Sequence, residues 1–178
     1  FFGTANSAPF AALFARKCIE DQGVRLPGST RVNVKIVDEV RDQVTDINFP
    51  GLVPTRADLV RLDGTIDRLC AGTGWFVLSG SVPEGVPDTY YADLIRRLRD
   101  QGKTVVLDAS GAPFALAVQS GPAIIKPNID ELGELVGRPL GSQAEVLAAA
   151  RALIDAGVGL VAVSMGADGA LFFERDQA

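Results

Sequence analysis

The 178-residue sequence contains no histidine. That absence removes a Ser/His/Asp triad and any histidine-ligated metal, and leaves carboxylate, lysine and backbone chemistry. Two cysteines occur, Cys18 and Cys70, without zinc-ligand spacing. Both are expected on apolar faces of helices, as reduced core residues of a cytoplasmic protein. No run approaches the ~18–20 consecutive apolar residues that cross a bilayer, and no basic, apolar leader opens the chain. Two glycine fingerprints are missing as well. There is no Gly-x4-Gly-Lys-Ser/Thr string, which excludes a Walker A loop, and no Gly-x-Gly-x-x-Gly after a strand, which argues against a dinucleotide-binding enzyme. The formal charge of −5 disfavours nucleic acid and membrane surfaces as partners, while leaving room for small anions met by a few placed cations.

What the chain does have is apolar substance and punctuation. It is 47% hydrophobic, with nineteen glycines and ten prolines, enough for one sizeable core. Phe1 to Gly3 read as the end of a strand, followed by a helix from Asn6 to Lys17 with Phe10, Leu13, Phe14 and Cys18 on one face. Between Val24 and Phe49 the period changes to two: Val32, Val34 and Ile36 alternate with Arg31, Asn33 and Lys35, and a second run covers Val44 to Phe49. This predicts a small sheet with one apolar and one polar face. Its cations belong either to a solvated face or to a lid that lays Arg31, Asn33 and Lys35 over an anionic substrate. Asp46 to Gly51 read as the hinge back to the main body.

Beyond the hinge, strands and helices alternate. Thr55 and Asp58 open a helix carrying Leu59, Leu62, Ile66, Leu69 and Cys70. Four strands follow, at Trp75–Leu78, Thr104–Leu107, Ala123–Ile125 and Leu160–Val163, separated by helices over Asp88–Gln101, Phe114–Val118, the stretch after Asn128, and the stretch after Ser142. Ala167 to Gly169 then turn the chain into a hairpin strand, Ala170–Phe173. Such alternation implies βαβ units and a parallel sheet, whose strand ends share one edge. Four small or polar corners should gather there: Ser79 to Ser81, Asp108 to Gly111, Lys126 to Glu131, and Ser164 to Gly169. Glycines let backbone N–H groups approach phosphate oxygens, Lys126 supplies a cation, and Asp108 with Glu131 can hold Mg²⁺ directly or through water. Asn128 followed three residues later by Glu131 equally satisfies a capping box, which carries no chemistry.

In the order and spacing of these pieces the sequence resembles the ribokinase-like sugar kinases of the PfkB group, and within it the fructose-1-phosphate and tagatose-6-phosphate kinases. The likeness is carried by Phe2, Gly3 and Asn6; Thr30, Arg31, Asn33 and Lys35; Asp46 to Gly51; Ser79 to Gly85; Asp108 to Gly111; Lys126 to Glu131; and Val163 to Gly169. It implies a Rossmann-like α/β fold with a mostly parallel sheet flanked by helices and a small β-sheet lid. The core would take in residues 1–22 and 52–178, and the lid 23–51. ATP and Mg²⁺ are the implied cofactors, a phosphosugar the implied substrate, and a homodimer through the lid the implied assembly. By the resemblance, Lys126, Asn128, Ser164, Gly166 and Gly169 belong to the nucleotide site, Glu131 and Asp108 to the metal, and Arg31, Asn33, Lys35, Ser79, Gly80 and Ser81 to the substrate.

The sequence departs from the family at its ends. The Gly-Ala-Gly-Asp motif that supplies the catalytic base would fall beyond Ala178, and the substrate-binding Asp and glycine pair of the N-terminal portion would fall before Phe1, so the chain is expected to be truncated at both ends. Gly166-Ala167-Asp168-Gly169 imitates the base motif but precedes a hairpin rather than a helix. The implied activity is transfer of the ATP γ-phosphoryl to fructose 1-phosphate. The alternatives are another PfkB acceptor, such as fructose 6-phosphate, tagatose 6-phosphate or a nucleoside, and a non-catalytic sugar-phosphate sensor.

Overall fold

A computed structural model of the chain describes residues 1–41 and 43–174. These divide into two compact units, Phe1–Arg68 with Pro83–Val86, and Leu69–Val82 with Pro87–Ala178.

The first unit contains β1 (Phe2–Gly3), α1 (Ala8–Arg16), β2 (Arg25–Leu26), β3 (Asn33–Asp38), β4 (Gln43–Asn48) and most of α2 (Arg56–Cys70). β1 and β2 pair in parallel, and the Phe2 ring receives Phe10 and Phe14 of α1 at centroid distances of 5.0 and 5.7 Å. Gly3 is required by close approach: a Cβ there would lie 2.4 Å from the Thr30 nitrogen. The Gly3 N–H instead donates to the Thr30 hydroxyl at 2.8 Å. The Asn6 side chain then clamps the Thr30 backbone, accepting from its N–H at 2.7 Å and donating to its carbonyl at 3.0 Å. α2 begins with the expected box, in which the Thr55 N–H donates to the Asp58 carboxylate at 2.9 Å and the Asp58 N–H to the Thr55 hydroxyl at 3.3 Å.

One expectation fails in this unit. α1 stops at Arg16, and Cys18 lies outside it, exposed, with φ +53. The Lys17 N–H already closes on Leu13 and Phe14, and the Ile19 N–H returns to the Phe14 carbonyl at 2.9 Å, so the chain reverses before Cys18 can join the apolar face. Cys70 is buried, as expected.

The second unit is a five-stranded sheet in the order β5 (Trp75–Ser79), β6 (Thr104–Asp108), β7 (Ile124–Ile125), β8 (Leu160–Ser164) and β9 (Ala170–Glu174). The first four strands run parallel and β9 returns antiparallel. Between them lie α3 (Tyr90–Asp100), α4 (Gly111–Val118), α5 (Ile129–Val136) and α6 (Gln143–Asp155). Pairing register places Leu78, Leu107, Ile125 and Val161 in one row across the sheet, and all four are buried. Leu94, Ile95 and Leu98 of α3, Phe114 of α4, Leu132 of α5 and Val146 and Ile154 of α6 complete this core. Each helix presents residues three and four apart, which is why they bury together.

Candidate functional site

The observed register aligns the four corners along one sheet edge. Ser79 pairs with Asp108 at the ends of β5 and β6, and the Gly80 N–H donates to the Asp108 carbonyl at 2.9 Å. Lys126 leaves β7 with its N–H on the Leu107 carbonyl at 3.1 Å. Pro127, which cannot donate to a ladder, ends the strand, and its buried carbonyl accepts from the Ser164 N–H at 2.9 Å. A single parallel bridge then joins Asn128 to Ser164 at the end of β8. The corners are thus successive neighbours, held by main-chain bonds.

Side chains complete the row. Lys126 Nζ lies 3.0 Å from Asp108 Oδ1, and Ser79 Oγ lies 3.4 Å from Asp108 Oδ2, so one carboxylate receives groups from the strands on either side. Asn128 Oδ1 accepts from the Glu131 N–H at 2.8 Å while Glu131 Oε2 accepts from the Asn128 N–H at 2.9 Å. The capping box is therefore real, and it uses one Glu131 oxygen. Gly166 and Gly169 shape the β8–β9 connection with φ +59 and +89, and the Met165 N–H donates to the Gly169 carbonyl at 2.8 Å. Asp168 stands exposed in a short 3-10 turn and opens no α-helix.

Of the residues expected from the sequence, Ser79, Gly80, Asp108, Lys126, Asn128, Glu131, Ser164, Gly166 and Gly169 share this edge, with Ser81 just beyond it. Arg31, Asn33 and Lys35 belong to the first unit. There the register faces Asn33 with Asn48 and Lys35 with Asp46, and Lys35 Nζ lies 3.4 Å from Asp46 Oδ1. A cavity of about 430 Å³ adjoins the Lys126 corner through Ile129 and Asp130, but its other walls are Gly133, Glu134 and the chain from Gly137 to Leu140. It takes in none of the expected site residues.

Among the described residues no three His, Cys, Asp or Glu side chains stand together as a metal cage. Two carboxylates on neighbouring corners still suit Mg²⁺, which is commonly held by one or two carboxylates together with substrate phosphates and water. Asp108 and Glu131 are the residues at this edge that could hold such an ion, with the Lys126 ammonium beside Asp108.

Tyr91 makes a polar contact at this edge that the sequence does not announce. Tyr91 belongs to the apolar stripe of α3, yet its hydroxyl lies 3.2 Å from the Gly80 carbonyl and 3.4 Å from that of Ser79. Burial pushes its pKa up from a value already well above neutral. The only signal was a tyrosine where a leucine would have served the stripe.

Comparison with known proteins follows the same line. The chain is 48% identical to a 1-phosphofructokinase of Rhodobacter capsulatus, over 99% of this chain and 56% of that protein. It is 43% identical to a 1-phosphofructokinase of Xanthomonas campestris, over 98% and 56%. It therefore spans little more than half the length of these relatives. The crystal structure of Escherichia coli phosphofructokinase-2 in complex with fructose-6-phosphate superposes with a TM-score of 0.86 at 27% identity, over 99% of this chain and 58% of that one. A family model described as pfkB family carbohydrate kinase matches residues 1–178, and the chain belongs to that family.

Proposed function

We propose that this chain forms part of an ATP-dependent kinase that phosphorylates a phosphosugar, with fructose 1-phosphate as acceptor and fructose 1,6-bisphosphate as product. The observation that carries the reading is the row of four corners on one sheet edge, with Asp108 and Lys126 paired at its middle. The high identity to 1-phosphofructokinases supports this acceptor over its relatives.

In this reading Lys126, Asn128, Ser164, Gly166 and Gly169 hold the nucleotide phosphates, and Ser79, Gly80 and Ser81 orient the acceptor. Arg31, Asn33 and Lys35, in the proposed lid over residues 23–51, neutralise the acceptor's own phosphate. Asp108 and Glu131 hold Mg²⁺, which when bound offsets the charge of the transferring phosphoryl group. Little covalent work falls to the protein in a loose phosphoryl-transfer transition state, so placement and charge compensation supply most of the rate. Lys126 would serve both, as an ammonium beside Asp108 that can also meet a phosphate oxygen. No described residue is assigned as the base.

We also place the protein in the cytoplasm, as a homodimer formed through the lid. The antiparallel β3–β4 ribbon supports the dimer, because Val34, Ile36 and Ile47 share one face by register and are 42%, 53% and 42% exposed. An assay of the full-length protein with ATP and a panel of fructose 1-phosphate, fructose 6-phosphate, tagatose 6-phosphate and free sugars tests the reading. Preference for fructose 1-phosphate is the expected result. Phosphosugar binding without transfer would convert the assignment to a sensor.

A further inference from the structure

The β5 corner is held from inside and open outside. Gly80 adopts φ +94, and nothing lies within 4 Å of where its Cβ would be, so no side-chain packing fixes the corner on its outer side. Its shape depends on inward bonds. One is the Gly80 N–H to the Asp108 carbonyl at 2.9 Å. The other comes from α3, where the Tyr91 hydroxyl bridges the Gly80 and Ser79 carbonyls at 3.2 and 3.4 Å, a three-centre arrangement from a single donor. Tyr91 can reach because Leu94, Ile95 and Leu98, on the same helical face, are packed into the core and fix the rotation of α3. The ring is half-buried, while the hydroxyl stands at the corner that also brings Ser79 Oγ to Asp108.

We propose that Tyr91 is a positioning residue for acceptor binding: its hydroxyl fixes the Ser79–Gly80 backbone, and through it the placement of the Ser79 side chain and the following Ser81. The proposal rests on the phosphosugar-kinase reading. Tyr91 touches neither the Lys126 corner nor the β8 corner in the contacts described, so its influence should fall on the acceptor and spare the nucleotide.

The test is Tyr91→Phe in the full-length enzyme, which keeps the ring and removes one donor. A single neutral hydrogen bond corresponds to roughly a three- to tenfold effect. The expected result is a rise of that size in KM for the acceptor, with KM for ATP unchanged and the thermal midpoint almost unmoved. Amide exchange at Gly80 should also quicken, since its bond to Asp108 would be held less firmly. An unchanged acceptor KM in an active enzyme overturns the Tyr91 assignment alone, as does an equal rise in both KM values, the mark of a general structural loss. A full-length wild type that phosphorylates no acceptor overturns the kinase reading and this role with it, a failure distinguishable because it appears before any substitution is made.

Discussion

The β3–β4 ribbon and the five-stranded sheet solve the same problem differently. Along the ribbon, apolar and polar residues alternate only in part, since Val37 and Val44 pair on the face of Lys35 and Asp46, and nearly every position is exposed. In β6 and β8, alternate residues are fully buried: Val105, Leu107, Val161 and Val163 each show 0% exposure. What separates them is the cover supplied by helices on one side of the sheet. The sheet also teaches something about its own second face. Its strands read as nearly continuous apolar runs, the pattern of strands covered on both sides. Yet Trp75, Val77 and Phe172 are 61%, 66% and 70% exposed. The ribbon gathers Val34, Ile36 and Ile47 on one face but, against the expectation of a wholly polar second face, pairs Val37 with Val44 on the other; the sheet's sequence marks two faces for cover.

The largest expected effect lies in the buried row. Leu107→Ala in the full-length protein should cost ~2–5 kcal/mol in denaturant unfolding, because it opens a cavity among residues that cannot collapse into it. Ile36→Ala on the ribbon should cost far less under dilute, monomeric conditions. Equal losses would break the contrast and mean that the ribbon face is covered within one protomer. The ribbon is better probed by association. If the proposed dimer forms through the ribbon, Ile36→Asp should weaken it at least about tenfold in sedimentation equilibrium, since it would place an unpaired charge in an apolar interface. A wild type that stays monomeric, or a variant that dimerises as well as wild type, would remove the lid from the assembly.

The Asn128–Glu131 corner sharpens the comparison between folding and function inside the sheet unit. Asn128→Ala should cost ~0.5–2 kcal/mol as a lost cap. Glu131→Gln keeps an oxygen for the Asn128 N–H, so stability should change little. If Glu131 holds the metal, that substitution should raise the Mg²⁺ requirement and lower turnover. Unchanged metal dependence returns the residue to its capping role.

Much of this was legible in the chain, and for identifiable reasons. The helices from Thr55, Asn128 and Ser142 were marked by local caps, and the parallel sheet followed from strands spaced by helices. Parallel pairing then placed the four corners on one edge without knowledge of any contact. The Lys126–Asp108 ion pair was not legible as a contact, because it joins residues on different strands and depends on side-chain reach. The Asn6–Thr30 clamp spans 24 residues and leaves no periodic trace. Cys18 was misplaced because its periodicity with Phe14 continues past the point where backbone bonds end the helix. Tyr91 falls three and four residues before Leu94 and Ile95 on α3, so periodicity alone gives its hydroxyl no mark.

The smallest effect concerns charges that look alike in a list of ion pairs. Lys35 and Asp46 on the ribbon stand mostly in solvent, with side chains 65% and 52% exposed, and an isolated exposed pair adds almost nothing. Glu145 is different because its partners are fixed. Its carboxylate accepts from the Gly141 N–H at 2.9 Å and the Ser142 hydroxyl at 3.0 Å, with Arg138 at 3.1 Å. The Gly141 amide, followed by Ser142 and Arg138, holds its pKa below the usual carboxylate value. A depressed folded pKa means that the unfolded chain takes up the proton first as the solution is acidified. The stabilisation is therefore present above the unfolded value of ~4.3 and is lost as pH falls through the folded one. Glu145→Gln should lower the thermal midpoint at pH 7, and the gap from wild type should close in acid. Lys35→Met should leave the midpoint unmoved at both pH values. A gap for Glu145→Gln that persists undiminished in acid would show that packing, and not the fixed hydrogen bonds to the charged carboxylate, is what this side chain contributes.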